Sequence, residues 1–520
     1  MPAKIEIYDT TLRDGSQGEG ISLSLQDKLR IVERLDRFGI DYIEGGWPGS
    51  NPKDMAFFKE AKKLKFKHAK LAAFGSTRRA HVKVSEDENL KALVEAGTKV
   101  ITIFGKSWDF HVQEVFKTAL KENLMMIRDS VSYLKAKKAE VIYDAEHFFD
   151  GFRENPEYAM KTIREAERAG CDRIVLCDTN GGALPEQVAI AVRKVVKQVK
   201  APVGIHCHND GDLAVANSIS AVTHGATQVQ GTINGYGERC GNANLISVIA
   251  ILQLKLGYQV LSEKKMKELT EVSHFVAEVC NLPIQNQQPF TGTSAFAHKA
   301  GVHVNAMMKN AKTYEHMNPA LVGNRRKFLV SELSGKSSIL FKAKELRLSL
   351  DIQNPETRTI LQKIAELESQ GYQFEAAEAS LELLMKRMLN KDKKFFTVKE
   401  VSVTTDHVEI ENPPSRATVR IEVCGEEAYE VASGDGPVNA LDNALRKALV
   451  KFYPVVEKIH LTDYAVRVVN SQAGTAAKVR VLIQFQDEAG SWRTVGVSEN
   501  IIEASWKALI EAIEYKLMKS

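Results

Sequence analysis

The first half of the chain repeats one pattern of apolar and polar positions. Each unit is a short run rich in β-branched residues, then a polar or Gly-rich loop, then a stretch with helical periodicity. The eight runs begin near Ile5, Asp41, Lys70, Val100, Glu140, Arg173, Val203 and Gln228. Alternating strands and helices favour a parallel sheet, and eight units in roughly 260 residues predict a (β/α)8 barrel. A doubly wound open sheet is the alternative, but it more often stops at about five or six strands.

Helical periodicity between these runs covers, among others, residues 25–38, 86–96, 156–169 and 185–199. Three of the predicted helices end at a glycine, namely Gly39, Gly97 and Gly170. Glycine is the usual residue just past a helix C-terminus because it adopts the left-handed conformation at little cost. The glycines therefore support the predicted order of strands and helices.

The second half of the chain has a different texture. Residues 271–395 lose the barrel pattern and predict helical accessory subdomains, whereas in residues 396–520 strands come in pairs that lead into a helix. Residues 431–440 align with residues 495–504, so this strand-strand-helix unit is doubled. We predict a barrel over 1–270, accessory subdomains over 271–395, and a C-terminal α+β domain over 396–520. The last is expected to bind a regulator or a second subunit, with plain oligomerisation as the alternative.

Composition narrows the class of protein. The chain has 520 residues, 44% hydrophobic and 26% charged, as in ordinary globular proteins, and its net charge is +4 with no basic block. We therefore expect no nucleic-acid partner. There is no apolar signal core and no run of about 18 apolar residues, so no membrane association is expected. Six scattered cysteines without a C-x-x-C pair indicate free thiols and a cytoplasmic protein.

Polar residues follow the predicted strands at the ends where barrel enzymes carry their chemistry. His206 and His208 lie two apart at the end of the seventh strand, so their imidazoles face the same side. Asp14, after the first strand, can add a carboxylate oxygen. Mixed nitrogen and oxygen ligands suit a divalent metal such as Mg, Mn, Zn or Co. The pattern predicts a metal centre there, and Glu44, Glu146, Asp178 and Asn242 follow other strands.

Three motifs carry a family resemblance. Residues 9–17 (DTTLRDGSQ), 206–210 (HCHND) and 235–243 (GYGERCGNA) resemble the signature regions of the α-isopropylmalate, homocitrate and citramalate synthase family. These are metal-dependent Claisen-type enzymes on a (β/α)8 barrel, and the likeness covers essentially the whole chain. Residues 42–52 and 74–79 resemble the citramalate-forming branch more than the isopropylmalate-forming branch.

The resemblance implies an acyltransferase that joins acetyl-CoA to pyruvate and hydrolyses the thioester, releasing (R)-citramalate and CoA. It implies metal ligation by Asp14, His206, His208 and Asn242. Arg13 would stabilise the developing alkoxide. Glu44 would orient Arg13, and Gln17 is a weaker candidate for the same surroundings.

The resemblance also implies an acid–base pair of Glu146 and His303, assisted by Tyr314, with the order of action left open. Thr179 would contact the substrate carboxylate, and Gly235 and Gly237 would let the backbone approach the substrate. Val304 stands where many isopropylmalate synthases carry a polar residue, so contacts just past His303 are not transferred.

Other readings remain open from the sequence. An α-isopropylmalate synthase would use the same chemistry with 2-oxoisovalerate as acceptor. A lyase like 3-hydroxy-3-methylglutaryl-CoA lyase would lack the C-terminal repeat, and a non-catalytic amino-acid sensor would show a damaged site. The doubled C-terminal unit predicts a homodimer inhibited by the pathway end product, isoleucine if citramalate is formed and leucine if isopropylmalate is formed.

Overall fold

The computed structural model describes residues 3–330, 336–346, 348, 355–405 and 414–520. It divides into two compact units. The first comprises Met1–Phe296 and Met317–Arg325, and the second comprises Ala297–His316 and Arg326–Ser520. The three predicted domain boundaries stay a prediction. Among the described residues, no helix is both long and apolar enough to cross a membrane.

The first unit contains the predicted closed barrel of eight parallel strands. In chain order these are β1 (Glu6–Asp9), β2 (Tyr42–Glu44), β3 (Lys70–Ser76), β4 (Val100–Lys106), β5 (Glu140–Glu146), β6 (Arg173–Asp178), β7 (Val203–Cys207) and β8 (Gln228–Gly231). Each strand pairs with the next in parallel, and β8 closes on β1 with Tyr8 opposite Gln230. The (β/α)8 prediction is confirmed, and every strand starts within one residue of its predicted position.

Helices connect the strands of the first unit, and further helices follow the last strand. They are α1 (Leu25–Phe38), α2 (Pro52–Ala61), α3 (Glu88–Ala96), α4 (Asp109–Glu114), α5 (Leu120–Ala136), α6 (Phe148–Glu154), α7 (Pro156–Arg168), α8 (Pro185–Gln198), α9 (Ala214–Thr223), α10 (Leu245–Leu254), α11 (Glu263–Met266) and α12 (Leu269–Val279). Helix α1 shows how the sequence defines their ends. Ser24 and Asp27 form a reciprocal capping box at its start, and Gly39 ends it in the left-handed conformation (φ 104°).

The barrel has two buried layers because successive strand residues point to opposite faces. Outward residues such as Ile7 and Ile43 join the helices in one large apolar cluster. The alternate positions form a second cluster inside the barrel, where the rings of Tyr8 and Tyr42 stack with centroids 5.8 Å apart. The inner layer leaves the C-terminal strand ends free to carry polar side chains.

The second unit contains helices α13 (Gly301–Lys309), α14 (Lys336–Glu345), α15 (Pro355–Ser369) and α16 (Glu378–Met388), and a short pair of parallel strands, β9 (Ala297–His298) and β10 (Lys327–Phe328). Two similar layers follow. Strands β11 (Thr397–Thr405), β12 (Ser415–Val423) and β13 (Glu426–Gly434) precede α17 (Pro437–Leu449). Strands β14 (His460–Val468), β15 (Val479–Asp487) and β16 (Gly490–Ser498) precede α18 (Ile501–Lys519).

The doubled unit predicted from the sequence is confirmed, with one addition. Each copy carries a further antiparallel strand, β11 or β14, ahead of the predicted pair. Strand β12 alternates buried and exposed positions, whereas β11 and β14 have no fully buried position. Strand β14 does carry apolar residues at every second position (Tyr464, Val466 and Val468), but these side chains are exposed, and the sequence analysis assigned no strand there.

Candidate active site

Three predicted metal ligands meet at the C-terminal end of the barrel. Asp14 begins a turn after β1, His206 lies in β7, and His208 follows that strand. The Asp14 Oδ2 atom lies 3.4 Å from His206 Nε2 and 3.8 Å from His208 Nε2, and all three residues are buried. One ligand atom from each lies within 4.8 Å of the others, a spacing compatible with a shared cation.

The polar atoms around this cluster fit a divalent metal. The Asp14 Oδ1 and Asn242 Oδ1 atoms are buried without a hydrogen-bond partner, an arrangement that costs free energy unless something binds there. Asn242 forms a β-bridge with His208 and donates its Nδ2 to the Tyr236 carbonyl oxygen at 3.1 Å. Its side-chain oxygen is therefore left as a fourth candidate ligand.

Electrostatics keep Asp14 and His208 in the protonation states that bind a metal. Burial alone raises the pKa of Asp14, but Arg13 and the hydrogen bond with His206 outweigh it, so that pKa is strongly lowered. Burial, followed by the nearby His206, lowers the pKa of His208 to about 4. An ionised carboxylate and a neutral imidazole are the protonation states that bind metals.

Two residues behind His206 were missed by the sequence analysis. His206 Nδ1 lies 3.0 Å from Gln230 Oε1, and Gln230 Nε2 donates to Asp144 Oδ1 at 3.1 Å. Because the Gln230 amide donates to the carboxylate, its oxygen must accept from His206 Nδ1–H, which leaves Nε2 for a metal. Gln230 lies on β8 and Asp144 on β5. A polar residue near the C-terminal end of a barrel strand was the sequence feature that could have identified each of them.

Replacing Gln230 should therefore weaken metal binding without removing a ligand. We expect Gln230→Leu to raise the dissociation constant for Mn²⁺ by about 10-fold, since outer-shell partners of ligating histidines typically contribute 10–100-fold. Titration calorimetry of the full-length protein would measure it. Gln198→Leu, a glutamine at the exposed end of α8, is the matched control. Unchanged affinity in Gln230→Leu with intact folding would contradict this orienting role.

Arg13 is held in a fixed orientation beside the cluster. Its Nε donates to Glu44 Oε1 at 2.5 Å and its NH1 to Asp14 Oδ2 at 3.0 Å. The guanidinium carbon lies 3.8 Å from the centroid of the Phe74 ring, which adds a cation–π contact. Glu44 is fully buried and also accepts from the Tyr8 hydroxyl at 2.6 Å. The predicted Arg13–Glu44 contact is present.

A cavity of about 230 Å³ adjoins the cluster. Seven predicted site residues line it: Arg13, Asp14, Gln17, Glu146, Thr179, His206 and His208. The Thr179 hydroxyl accepts from the His147 backbone N–H at 2.9 Å, which fixes its position. One wall is aromatic, formed by Trp47, Phe74 and Phe104 with ring centroids 5.6–5.8 Å apart. In a sequence, such aromatic residues look like ordinary core residues. Only their position near the C-terminal ends of the strands marks them as candidate cavity residues.

The predicted glycines lie in a second, larger cavity of about 600 Å³ next to Asn242, which Gly235 and Gly237 both line. Gly237 has φ 147°, and a Cβ there would lie 2.2 Å from Asn242 Nδ2. The position therefore requires glycine if Asn242 is to keep its place. Their role towards a substrate stays a prediction.

His303 and Tyr314 lie in the second unit, away from the barrel in sequence. His303 belongs to α13, and its ring stacks on that of Tyr314 with centroids 4.1 Å apart. These two predicted site residues thus contact each other. Their part in catalysis stays a prediction.

Comparison with known proteins agrees with this architecture. A family model described as HMGL-like matches residues 4–276, one described as homocitrate synthase post-HMGL domain-like matches 290–372, and one described as the LeuA allosteric (dimerisation) domain matches 375–517. The fold and the ligand cluster thus define an HMGL-like barrel of the divalent-metal-dependent class.

Full-length relatives narrow the class further. The (R)-citramalate synthase of Aquifex aeolicus (strain VF5) is 56% identical, covering 100% of this chain and 99% of that protein. Those of Geobacter sulfurreducens and Synechocystis sp. are 54% and 52% identical, covering 99% and 98% of this chain and 98% and 96% of the respective relatives. The chain belongs to the (R)-citramalate synthase family, and the resemblance seen in its motifs is confirmed.

Proposed function

We propose that the protein condenses acetyl-CoA with pyruvate and hydrolyses the thioester, releasing (R)-citramalate and CoA. The observation that carries this proposal is the full-length identity of 52–56% to (R)-citramalate synthases. The site is compatible with it, because a small cavity joins metal ligands, a fixed arginine and a carboxylate.

A divalent ion held by Asp14, His206, His208 and Asn242 would supply Lewis-acid polarisation of the keto group. Arg13 is placed to neutralise negative charge that develops on the keto oxygen, because its guanidinium is already oriented by Glu44 and needs no reorganisation. Thr179 can bind the pyruvate carboxylate through its hydroxyl, and Gln17 lines the same cavity. The contacts of each side chain support these proposed roles.

Glu146 is the carboxylate we propose as the base that takes a proton from the acetyl methyl group. It ends β5 and lines the cavity that holds Arg13 and the ligands. His303, stacked on Tyr314, is proposed to share the proton transfers.

The aromatic wall favours a small acceptor. Trp47, Phe74 and Phe104 pack against one another, so the wall has little freedom to retreat from a branched side chain. Pyruvate presents a methyl group there, whereas 2-oxoisovalerate presents an isopropyl group. The proposal is tested by CoA release from acetyl-CoA with a divalent metal and either acceptor. Preference for 2-oxoisovalerate would favour α-isopropylmalate synthase instead.

Shortening this wall should relax acceptor choice. We expect Phe104→Ala to raise the ratio of kcat/KM for 2-oxoisovalerate to that for pyruvate by about 10-fold or more, the usual scale of discrimination by a hydrophobic pocket. Initial rates of CoA release with each acceptor measure the ratio. Phe66→Ala, a half-buried phenylalanine before β3 at the opposite end of the barrel, is the control. An unchanged ratio would mean that Phe104 does not limit acceptor size.

The C-terminal repeat is proposed to bind isoleucine in a homodimer. Its match to the LeuA allosteric (dimerisation) domain and its doubled strand and helix layers support this. We expect millimolar isoleucine to inhibit CoA release by the full-length protein, with equal leucine as the comparison. Light scattering during the same titration reports the oligomer. Inhibition by leucine alone would indicate that the effector is the end product of the leucine pathway. No inhibition by isoleucine or leucine would contradict the proposal.

A further inference from the structure

A buried lysine stands next to the proposed base. Lys106 ends β4, Glu146 ends β5, and the two are register partners in the parallel ladder between these strands. Register partners point to the same side of a sheet, so their side chains meet. The Lys106 ammonium forms an ion pair with Glu146 Oε2, and the Lys106 side chain is only 10% exposed.

We propose that Lys106 is a positioning residue for the Glu146 carboxylate: the ammonium holds one carboxylate oxygen through the ion pair and leaves the other oxygen to take the proton. This inference rests on the proposed function, in which Glu146 is the base. It adds a residue that none of the sequence motifs contains.

The surroundings of Lys106 fix it in place. Its ammonium lies 5.6 Å from the ring centroids of both Phe104 and Phe116, within cation–π range. The Asn123 side-chain amide donates to the Lys106 carbonyl oxygen at 2.8 Å, and the Ser107 N–H donates to the Glu146 carbonyl oxygen at 3.0 Å. Both backbones are thus tied into the same ladder. A flexible surface lysine would not show this confinement.

Lys106 is the cation that forms an ion pair with the Glu146 carboxylate. His111 is also close, but burial, followed by His147 and Lys106, lowers its pKa to about 4. The imidazole is therefore neutral at neutral pH. Cys177, on β6, lies near Glu146 as well, but burial and nearby carboxylates raise the pKa of its thiol, which stays uncharged. Of these three neighbours, Lys106 is therefore the one that places a positive charge in direct contact with Glu146.

The proton transfer explains why such a cation helps. A C–H bond of the acetyl methyl group breaks, its proton goes to the free oxygen of Glu146, and its electron pair forms the enolate. Negative charge moves from the carboxylate to the enolate oxygen a short distance away. Lys106 stays in place throughout, so the charge moves within the field of one fixed cation. Loss of Lys106 should also let the carboxylate leave its reactive orientation.

The test compares variants of the full-length protein in the CoA-release assay. Lys106→Met keeps the apolar stem but removes the charge. We expect kcat to fall by about 100-fold, as for impaired general-base catalysis, while the KM for pyruvate changes less than about threefold because other residues hold it. Trideuterated acetyl-CoA should show a larger isotope effect on kcat in this variant. Lys106→Arg, which retains a cation, should recover at least about 10-fold over Lys106→Met.

The matched control is Lys70→Met. Lys70 also forms an ion pair with a glutamate of β5, Glu140, at 2.7 Å, but at the opposite end of the barrel. We expect kcat, KM and the isotope effect to stay at wild-type values. Melting temperature and Mn²⁺ affinity are measured for every variant. Lys106→Gln, judged by the same criteria, replaces Lys106→Met if the latter does not fold.

Two results would overturn the inference. One is a folded Lys106→Met or Lys106→Gln protein with kcat within about threefold of wild type. The other is a loss confined to the KM for pyruvate, with an unchanged isotope effect, which would make Lys106 a substrate contact. An inactive wild-type protein with pyruvate would instead contradict the proposed function, so the wild-type and variant arms separate the two failures.

Discussion

Asp14→Asn is expected to abolish most metal binding and turnover. Asp14 is the only charged ligand of the predicted four, and its Oδ1 atom has no other partner. The substitution removes a full negative charge where a divalent cation would sit. We expect Mn²⁺ affinity to fall by at least about 100-fold, more than for an outer-shell change, and kcat to fall by about 1,000-fold at a fixed metal concentration.

Titration calorimetry and CoA release would measure these two effects separately. Asp172→Asn is the matched control, because Asp172 pairs with Lys135 at the opposite end of the barrel, at 2.7 Å and partly exposed. It should change neither quantity by more than about twofold. Asp14→Asn should remain folded, since the asparagine keeps the volume of the side chain. Near-normal metal affinity in a folded Asp14→Asn protein would remove Asp14 from the ligand set.

Arg13→Lys is the second large effect we expect, and it should leave the metal in place. A lysine cannot reproduce the fork that binds Glu44 through Nε and Asp14 through NH1 while lying over the Phe74 ring. The cation would remain, but its position relative to the keto oxygen would be lost. We expect kcat to fall by about 100- to 1,000-fold, the range seen when an oriented oxyanion donor is removed.

The result that identifies this role is a loss of turnover without a loss of metal binding. Mn²⁺ affinity of Arg13→Lys should stay within about threefold of wild type, because no ligand is lost. Arg34→Lys is the matched control, an arginine of α1 that also bridges two carboxylates, Glu268 and Glu271, at 3.1 Å each. It should keep normal kcat. If Arg13→Lys matched wild type in kcat, Arg13 would have no role in the rate.

Local patterns in the sequence were sufficient to predict the strands and helices of the barrel. The β-branched runs located all eight strands, and helical periodicity with the glycine at Gly39 bounded α1 at Leu25 and Phe38. Such signals act over a few residues, so a linear sequence contains them. The same holds for His206 and His208, whose spacing alone puts both on one side of a strand.

The family resemblance of the motifs also predicted site residues that lie far apart in the chain. Arg13, Glu44, Glu146 and Thr179 were named as site residues before any geometry was considered, and the structure places all four at one end of the barrel. Their roles stay predictions that the variants above test. The edge strands β11 and β14 were not assigned from the sequence, although Tyr464, Val466 and Val468 of β14 alternate, and the structure shows that neither strand has a fully buried position.

The sequence by itself determined the barrel, the doubled C-terminal unit and the three clustered candidate ligands Asp14, His206 and His208, because period, capping and short motifs are local properties of a chain. Only the tertiary structure decided which side chains support them. Gln230 behind His206, the aromatic wall of Phe74 and Phe104, and Lys106 beside Glu146 depend on register between strands distant in sequence. Register comes from closure of the whole sheet, and no single segment contains it.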